Sequence, residues 1–410
     1  MKPVYVLGGF QTDFAYSFAK NRLEIFDLLK QTVEGGLSEV DLEPHEIEVA
    51  HIGNLGGELF SGQGQLGGLF ALTHPAFYGV PSSRHEAACA SGSVATLAAM
   101  ADIEAERYGL ACVVGLELMK NVSAQVAAEH LGAAAWRGHE LTDSKFPWPR
   151  AFSNLGDEYD SRYGLDPKHL KEISRINFEN AKKNPKAQTR AWTMDDASFS
   201  DDEAKNPVVE GRIRKHDCSQ VTDGGAVVFL ASEAVAKRYS ARRGIALDTL
   251  SKIEGFGHTT APLPYALKVE KSRSSPYVFP WLRHAFLGSL SRAGLSDVGD
   301  LHGLEVHDCF TTTEYMIIDH VGLTRPGRSF EAIEDGRIRL GGRCPVNPSG
   351  GLIGAGHPIG ATGVRMVLDA HRQVTGQAGA NQVDGARRFG TLNIGGSATT
   401  TVAFVVGRGA

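Results

Sequence analysis

Four short segments of this sequence carry side chains whose types and setting could do chemistry. The first, His85-Glu86-Ala87-Ala88-Cys89-Ala90-Ser91-Gly92-Ser93, ends an extended run in a cysteine just before a helix of small and apolar residues. A helix N-terminus presents unpaired N–H groups and positive potential, which lowers a thiol's pKa and favours the nucleophilic thiolate. Without such context a lone cysteine is a small buried core residue. The second, running from Asn347 to Gly363, is a glycine-dense loop that sets Gly356-His357-Pro358 before a helix. Its glycines let backbone pass close to a ligand, and Pro358 stiffens the approach so that the imidazole keeps one direction, as a base requires. A turn whose histidine faces solvent is the alternative.

The third segment, Glu305-Val306-His307-Asp308-Cys309-Phe310-Thr311, lies at the C-terminal end of a predicted strand, where open α/β sheets bind ligands. It offers a histidine and a second thiol, although such residues also occur as satisfied structural groups. The fourth, Leu392-Asn393-Ile394-Gly395-Gly396-Ser397-Ala398, is a strand running into a turn. Its glycine N–H groups could bind an oxyanion, or the glycines could serve a tight hairpin alone.

The elements that must position these segments read as an α/β chain. Strands are expected at Pro3 to Leu7, Val49 to Asn54, Leu110 to Leu116, Gly225 to Leu230, Ile245 to Gly257 and Leu304 to His307, with a paired ending at Gly390 to Ile394 and Thr399 to Val406. Helices are expected at Asn21 to Leu37, Ser91 to Tyr108, Pro280 to Ala293, from Thr312, and after Gly360. Alternation of this kind argues for parallel strands, and the continuous apolar run Leu110 to Leu116 for a strand buried on both faces. From about Met119 to Gln220 the character changes. Trp, Pro, Arg, Lys and His become common, and only pieces such as Lys168 to Lys183 look helical, so an inserted loop domain is expected there. The second half then repeats the pattern of the first.

The 410 residues predict two to four compact units, and 42% hydrophobic with 22% charged residues is ordinary globular usage. The formal charge of -5 and the lack of a long basic run argue against a nucleic-acid partner. No apolar stretch approaches the roughly 20 residues of a membrane span, and the start lacks a signal peptide's apolar region. No peroxisomal tripeptide closes the chain, so a cytoplasmic location is expected. The five cysteines, Cys89, Cys112, Cys218, Cys309 and Cys344, are widely separated with no CxxC pair, which predicts free thiols and no metal site.

Together the four segments and the loop Ser61-Gly62-Gln63-Gly64-Gln65 resemble the thiolase family, in order and along the whole chain. Most members of that family carry Asn-Glu-Ala-Phe where this chain has His307-Asp308-Cys309-Phe310, and a second catalytic cysteine where it has Asn393. Both departures occur together in the sterol-carrier-protein-2 type of thiolase, the closest resemblance. It implies a thiolase-like α/β fold of two similar five-stranded halves in layers. The first half would span 1–118 and be completed by 221–243, with the loop domain inserted at 119–220 and the second half at 244–410.

The resemblance also implies the chemistry. Cys89 would carry the acyl group as a thioester, His357 would take its proton, and Cys309 would move a proton at the α-carbon of acetyl-CoA. His307 would contribute to one oxyanion hole, and the N–H groups of Cys89 and Gly395 would form the other. Coenzyme A thioesters would be substrates, with no cofactor held permanently. His258 and Thr259, in a stretch loosely similar to the family's pantetheine contact, are candidate coenzyme A residues. So are the basic residues Arg137, Lys145, Arg150, Arg212, Arg214 and Lys215, since the ligand's phosphates call for positive charge.

A homodimer or tetramer is implied, and a small acyl-CoA-binding protein is a conceivable partner. Two rivals stand beside the thiolase reading: a ketosynthase-like condensing enzyme using Cys89, His307 and His357, and a thiolase-like scaffold that binds a partner protein.

Overall fold

The computed structural model describes residues 2–409. Eleven strands form: β1 (Val4–Gln11), β2 (Val49–Gly53), β3 (Ser82–His85), β4 (Leu110–Glu117), the small hairpin β5 (Val208–Glu210) and β6 (Ile213–Arg214), β7 (Gly224–Ser232), β8 (Ser251–Thr260), β9 (Leu304–Val306), β10 (Arg388–Gly395) and β11 (Thr400–Arg408). All but the hairpin join one sheet in the order β3-β2-β4-β7-β1-β8-β11-β10-β9. Five strands come from the first half and four from the second. A single parallel bridge from Leu304 to Val346 takes the place of a fifth strand there. The halves meet where β1 pairs with β8 over only three residues, Val4 to Val6.

The expectation of parallel strands holds only at the two ends of the sheet. β3-β2-β4 and β10-β9 are parallel, whereas β4-β7, β7-β1, β1-β8, β8-β11 and β11-β10 are antiparallel. The connection from β10 to β11 shows why in one case: a turn of a few residues can only reverse the chain. Ile245 to Leu250 likewise falls outside β8, which instead runs on to Thr260 and so takes in His258 and Thr259.

Two helices, Ser91–Glu104 and Ile359–Thr375, pack on the sheet and on each other. Their shared core gathers Ala95, Met100 and Ile103 with Val364, Val367 and Leu368, against Val6, Val113 and Val228 from one half and Val402 and Phe404 from the other. Helix starts and strand ends approach at backbone distance. A Cβ at Gly92 would lie 2.6 Å from the Gly360 carbonyl oxygen, and one at Gly115 would lie 2.2 Å from it. Any side chain at either position would push the helix starts off the sheet. Those helix starts carry Cys89 and His357.

Residues 119–220 add no strand to this sheet. They form helices Ala124–Leu131, Pro147–Tyr163 and Pro167–Ala181 together with the β5-β6 hairpin. The Pro147–Tyr163 helix escaped the sequence reading because Pro147 and Pro149 look like breakers, although a proline in the first helical turn costs no hydrogen bond. This helix lies along Thr311–His320, with Phe152 stacked on Phe310 at 4.8 Å between ring centroids and Tyr159 donating to Asp319. No helix among the described residues is long and apolar enough to cross a membrane.

Candidate active site

Cys89 sits at the turn between β3 and the Ser91–Glu104 helix. Ala88 before it has φ +51°, a left-handed conformation that is strained for alanine, and the turn is held by Ser91, whose Oγ donates to the Ala88 carbonyl and accepts from the Ala87 N–H. The Gly396 N–H faces the sulfur and favours its thiolate. Burial nevertheless pushes this thiol up to about 12, reinforced by the Glu117 and Glu86 carboxylates and only partly offset by the Gly396 and Cys89 N–H groups. The expectation of a thiol activated by a helix end is therefore corrected. Desolvation outweighs the helix end, and the resting sulfur is protonated.

The two histidines beside it are backed in opposite ways. The hydroxyl of Thr362 donates to the Pro358 carbonyl at 3.0 Å, so its oxygen accepts from His357 Nδ1–H at 2.7 Å. This leaves Nε2 of His357 as a free lone pair. His307 Nδ1 instead accepts from Asn393 Nδ2 at 3.0 Å, and Asn393 is oriented by Ser93, whose Oγ donates to its Oδ1 at 2.8 Å. Nε2 of His307 therefore bears the proton. The rings stand edge-on with centroids 5.2 Å apart. Burial, with the Arg365 charge adding to it, pushes His357 down to about 3; burial, His357 and Arg365 hold His307 well below the ordinary imidazole range. Both rings are neutral, one aimed as a base and one as a donor.

Ligand atoms of Cys89, His307 and His357 lie within 4.8 Å of one another, a spacing that a zinc ion could bridge. The backing of His307 opposes that use, since it turns an N–H rather than a lone pair toward the sulfur.

Cys309 faces the same cavity, its Sγ 3.7 Å from Thr313 Oγ1, and burial holds its thiol well above the ordinary range. Its neighbour Asp308 points away and accepts from the N–H groups of Leu352 and Ile353 and from Asn177, which ties the glycine-rich loop to the end of β9. Gly351 in that loop has φ +60°, and a Cβ there would lie 2.2 Å from an Asp308 oxygen, so the anchoring needs glycine.

On the Cys89 side the buried Glu117 does the equivalent work. It accepts from Asn54 Nδ2 and from the N–H groups of Leu55, Gly56 and Gly360, while burial pushes it up to about 7. The cavity these groups surround has a volume of ≈ 210 Å³, and its walls include Leu131, Phe146, Trp148, Phe152, Phe310 and Ile359. It is a mainly apolar pocket with Cys89, His307, Cys309 and His357 in its lining.

The remaining candidates divide. Gly396, and not Gly395, lines the cavity; Gly395 is pressed against the Ala87 carbonyl, where a Cβ would lie 2.1 Å away. His258 is exposed on β8, and Thr259 donates to the Trp281 carbonyl, so neither lines the cavity. Arg214 pairs with Asp201 and Glu203, Arg212 with Asp157 and Asp160, and Arg150 with Glu210. Arg137, Lys145 and Lys215 form no ion pair among the described residues, and Lys145 lies over Phe146 at the cavity wall.

Four groups were missed from the sequence as functional: Ser93, Thr362, Glu117 and the amide of Asn393. Thr362 was findable, five positions after His357 in the same loop-to-helix segment. The Ser93 to Asn393 contact spans 300 residues and left no local signal.

Comparison with known proteins bears on the family and the fold. The family model described as "Thiolase, N-terminal domain" matches residues 4–234, and "Thiolase C-terminal domain-like" matches residues 272–408. The chain is 28% identical over 409 residues to an acetyl-CoA acetyltransferase of Methanothermobacter thermautotrophicus, covering 100% of both. It is 27% identical over 412 residues to sterol carrier protein 2 of Gallus gallus, covering 98% of this chain and 72% of that one. A solved structure titled "Ltp2-ChsH2(DUF35) aldolase" superposes with a TM-score of 0.77 at 17% identity, covering 99% of this chain and 98% of that one. Matched by both halves of the family and built on its fold, the chain belongs to the thiolase family.

Proposed function

We propose that this thiolase is an acyl-CoA C-acyltransferase that cleaves or forms 3-ketoacyl-CoA through a thioester on Cys89. The observation that carries the reading is the opposed backing of the two neutral histidines around one thiol. In the first step the Cys89 sulfur attacks the substrate carbonyl while Nε2 of His357 takes the thiol proton. The oxyanion sits on the N–H groups of Gly396 and Cys89, and coenzyme A leaves with the proton returned by His357.

In the second step, in the direction of synthesis, the Cys309 thiol gives its proton to Nε2 of His357 and, as thiolate, takes a proton from the α-carbon of acetyl-CoA, while the enolate oxygen accepts from Nε2–H of His307. The carbanion then attacks the Cys89 thioester and frees the sulfur, which takes the proton back from His357. Because burial holds both thiols neutral at rest, each deprotonation occurs with substrate bound, when the developing oxyanion meets its donors. The apolar cavity holds the acyl group, and Lys145 and Arg137 are the free cations of the inserted segment nearest in sequence to its wall residue Phe146.

A name among the relatives supports the acetyl transfer, since the archaeal homologue is called acetyl-CoA acetyltransferase. The superposed structure's title names a second protein, which favours a partner-binding role beside catalysis. A cytoplasmic homodimer remains part of the proposal, and sedimentation of the purified chain tests the dimer. Intact-protein mass after mixing with acetyl-CoA or acetoacetyl-CoA tests the chemistry. An acyl adduct on wild type and on Cys309→Ala, absent from Cys89→Ala, is expected. Failure of wild type to acylate with these and with longer acyl-CoAs would sink the reading and leave the scaffold. Condensation undiminished in Cys309→Ala would favour the ketosynthase-like rival.

A further inference from the structure

One buried cation takes no part in the mechanism above. Lys268, on the short helix Tyr265–Lys271, is 0% exposed, yet among the described residues its amine's only polar contacts are the Leu263 carbonyl at 3.1 Å, Ser397 Oγ at 2.7 Å and Thr399 Oγ1 at 2.8 Å. Burial, partly offset by Glu140, pushes its amine down to about 7. Leaving a lysine in such a place is costly, and a hydrocarbon of similar length would fill the volume without that cost.

The two hydroxyls it holds flank Ala398 in the turn between β10 and β11. That turn is unusual. Gly396 has φ +62° and Ala398 has φ +57° while only 2% exposed, so a non-glycine residue is kept in the left-handed region inside the protein. The turn's own backbone supplies one hydrogen bond across it, from the Thr399 N–H to the Gly395 carbonyl at 3.0 Å, and the Thr399 carbonyl accepts from the Ala261 N–H at 2.7 Å. The amine of Lys268 adds a third tie, gripping both sides of Ala398 from outside the sheet. At the start of the same turn stands Gly396, whose N–H reaches the Cys89 sulfur.

We propose that Lys268 is a positioning residue for the acylation oxyanion hole, holding Ser397 and Thr399 so that the Gly396 N–H stays aimed at the oxygen that forms on the Cys89 thioester. This rests on Cys89 being the acylated residue. It acts through the turn and touches no reacting atom.

The test compares wild type, Lys268→Met and the double variant Ser397→Ala/Thr399→Val, each checked for folding by thermal melting and acylated with carbonyl-13C acetyl-CoA. Turnover should fall about 10-fold to 100-fold in Lys268→Met, less than the loss of a whole oxyanion donor, with KM within about two-fold. The infrared carbonyl band of the Cys89 thioester should move to higher frequency, as a weakened hydrogen bond requires. The double variant should show the same band shift and, combined with Lys268→Met, little additional loss. If Lys268→Met does not fold, the double variant carries the test alone. A folded variant that acylates at the wild-type rate with an unmoved band overturns the proposal and makes Lys268 a purely structural residue. Wild type that fails to acylate overturns the Cys89 reading instead, and this inference with it.

Discussion

The two halves of the chain run one plan with opposite emphasis. In each, the loop before the central helix carries a reactive residue: Cys89 before Ser91–Glu104, and His357 before Ile359–Thr375. In each, a side chain just beyond the second strand turns inward, Asn54 after β2 and His307 after β9. The halves part company at one connection. Between the antiparallel neighbours β4 and β7 the chain inserts residues 118–223, whereas between the corresponding neighbours β10 and β11 it makes only the turn from Gly396 to Thr399.

The long connection supplies walls of the cavity beside Cys89, including Phe146, Trp148 and Phe152; the short one supplies Gly396 on the same cavity. A scaffold position thus does not set a residue's role. Freedom of shape is useful where a substrate must be enclosed, and rigidity where a charge must be met at a fixed point.

Burial treats the two halves' reactive groups in opposite senses. It raises the Cys89 thiol to about 12 and lowers the His357 imidazole to about 3, so both are neutral when no substrate is bound. The sharpest way to break this pairing is His357→Asn, which keeps a polar side chain and removes the base. Acylation of Cys89, followed by rapid-quench mass measurement, should fall about 100-fold to 10,000-fold, within the range general-base catalysis covers. An unchanged rate would mean that the thiol ionises without the second half.

Cys309→Ala comes next in size. Condensation and α-proton exchange of acetyl-CoA, read by deuterium uptake, should fall about 100-fold or more while acylation stays within about three-fold. Loss of acylation as well would show that the two thiols do not divide the work. A smaller effect is expected from Asn393→Ala, because the His307 ring remains and only its tautomer is freed. Deuterium uptake should slow about 10-fold, with acylation again close to wild type. Equal loss in both steps would instead mark Asn393 as a packing residue.

The smallest expected effect is an absence of pH response. A base whose folded-state pKa lies near 3 is present above that value and is lost only as pH falls through it, so His357 adds no pH response to acylation kcat/KM between pH 5.5 and 7.5, and any change there belongs to Asp308, Glu117 or Lys268 and persists in His357→Asn. An acid limb with a midpoint near 6.5, belonging to the free enzyme and removed in His357→Asn, would show that the imidazole is not desolvated.

Much of this site was legible in one dimension because its chemistry is local. The Cys89 turn, the Gly356-His357-Pro358 loop and the His307 to Cys309 strand end each combine a reactive side chain with the residues that shape its backbone. Thr362, five positions from His357, belongs to the same class. The helix at Pro147 was hidden because composition weighs a proline the same wherever it falls, while its cost depends on position in the helix. The thiolate expected at Cys89 failed for a related reason: a helix end is visible in sequence, but the burial that overrides it comes from residues far along the chain.

By itself the sequence determined which groups could react and which backbone turns would present them, since turn chemistry and helix starts depend on neighbours in the chain. Only the tertiary structure decided their states. It brought Ser93 to Asn393 and Asn393 to His307, set Gly396 rather than Gly395 on the cavity wall beside the sulfur, and buried both histidines and, in part, Cys89. A tautomer or a pKa is settled by partners in space and by exclusion of solvent, and neither quantity exists until the two halves have closed on one another.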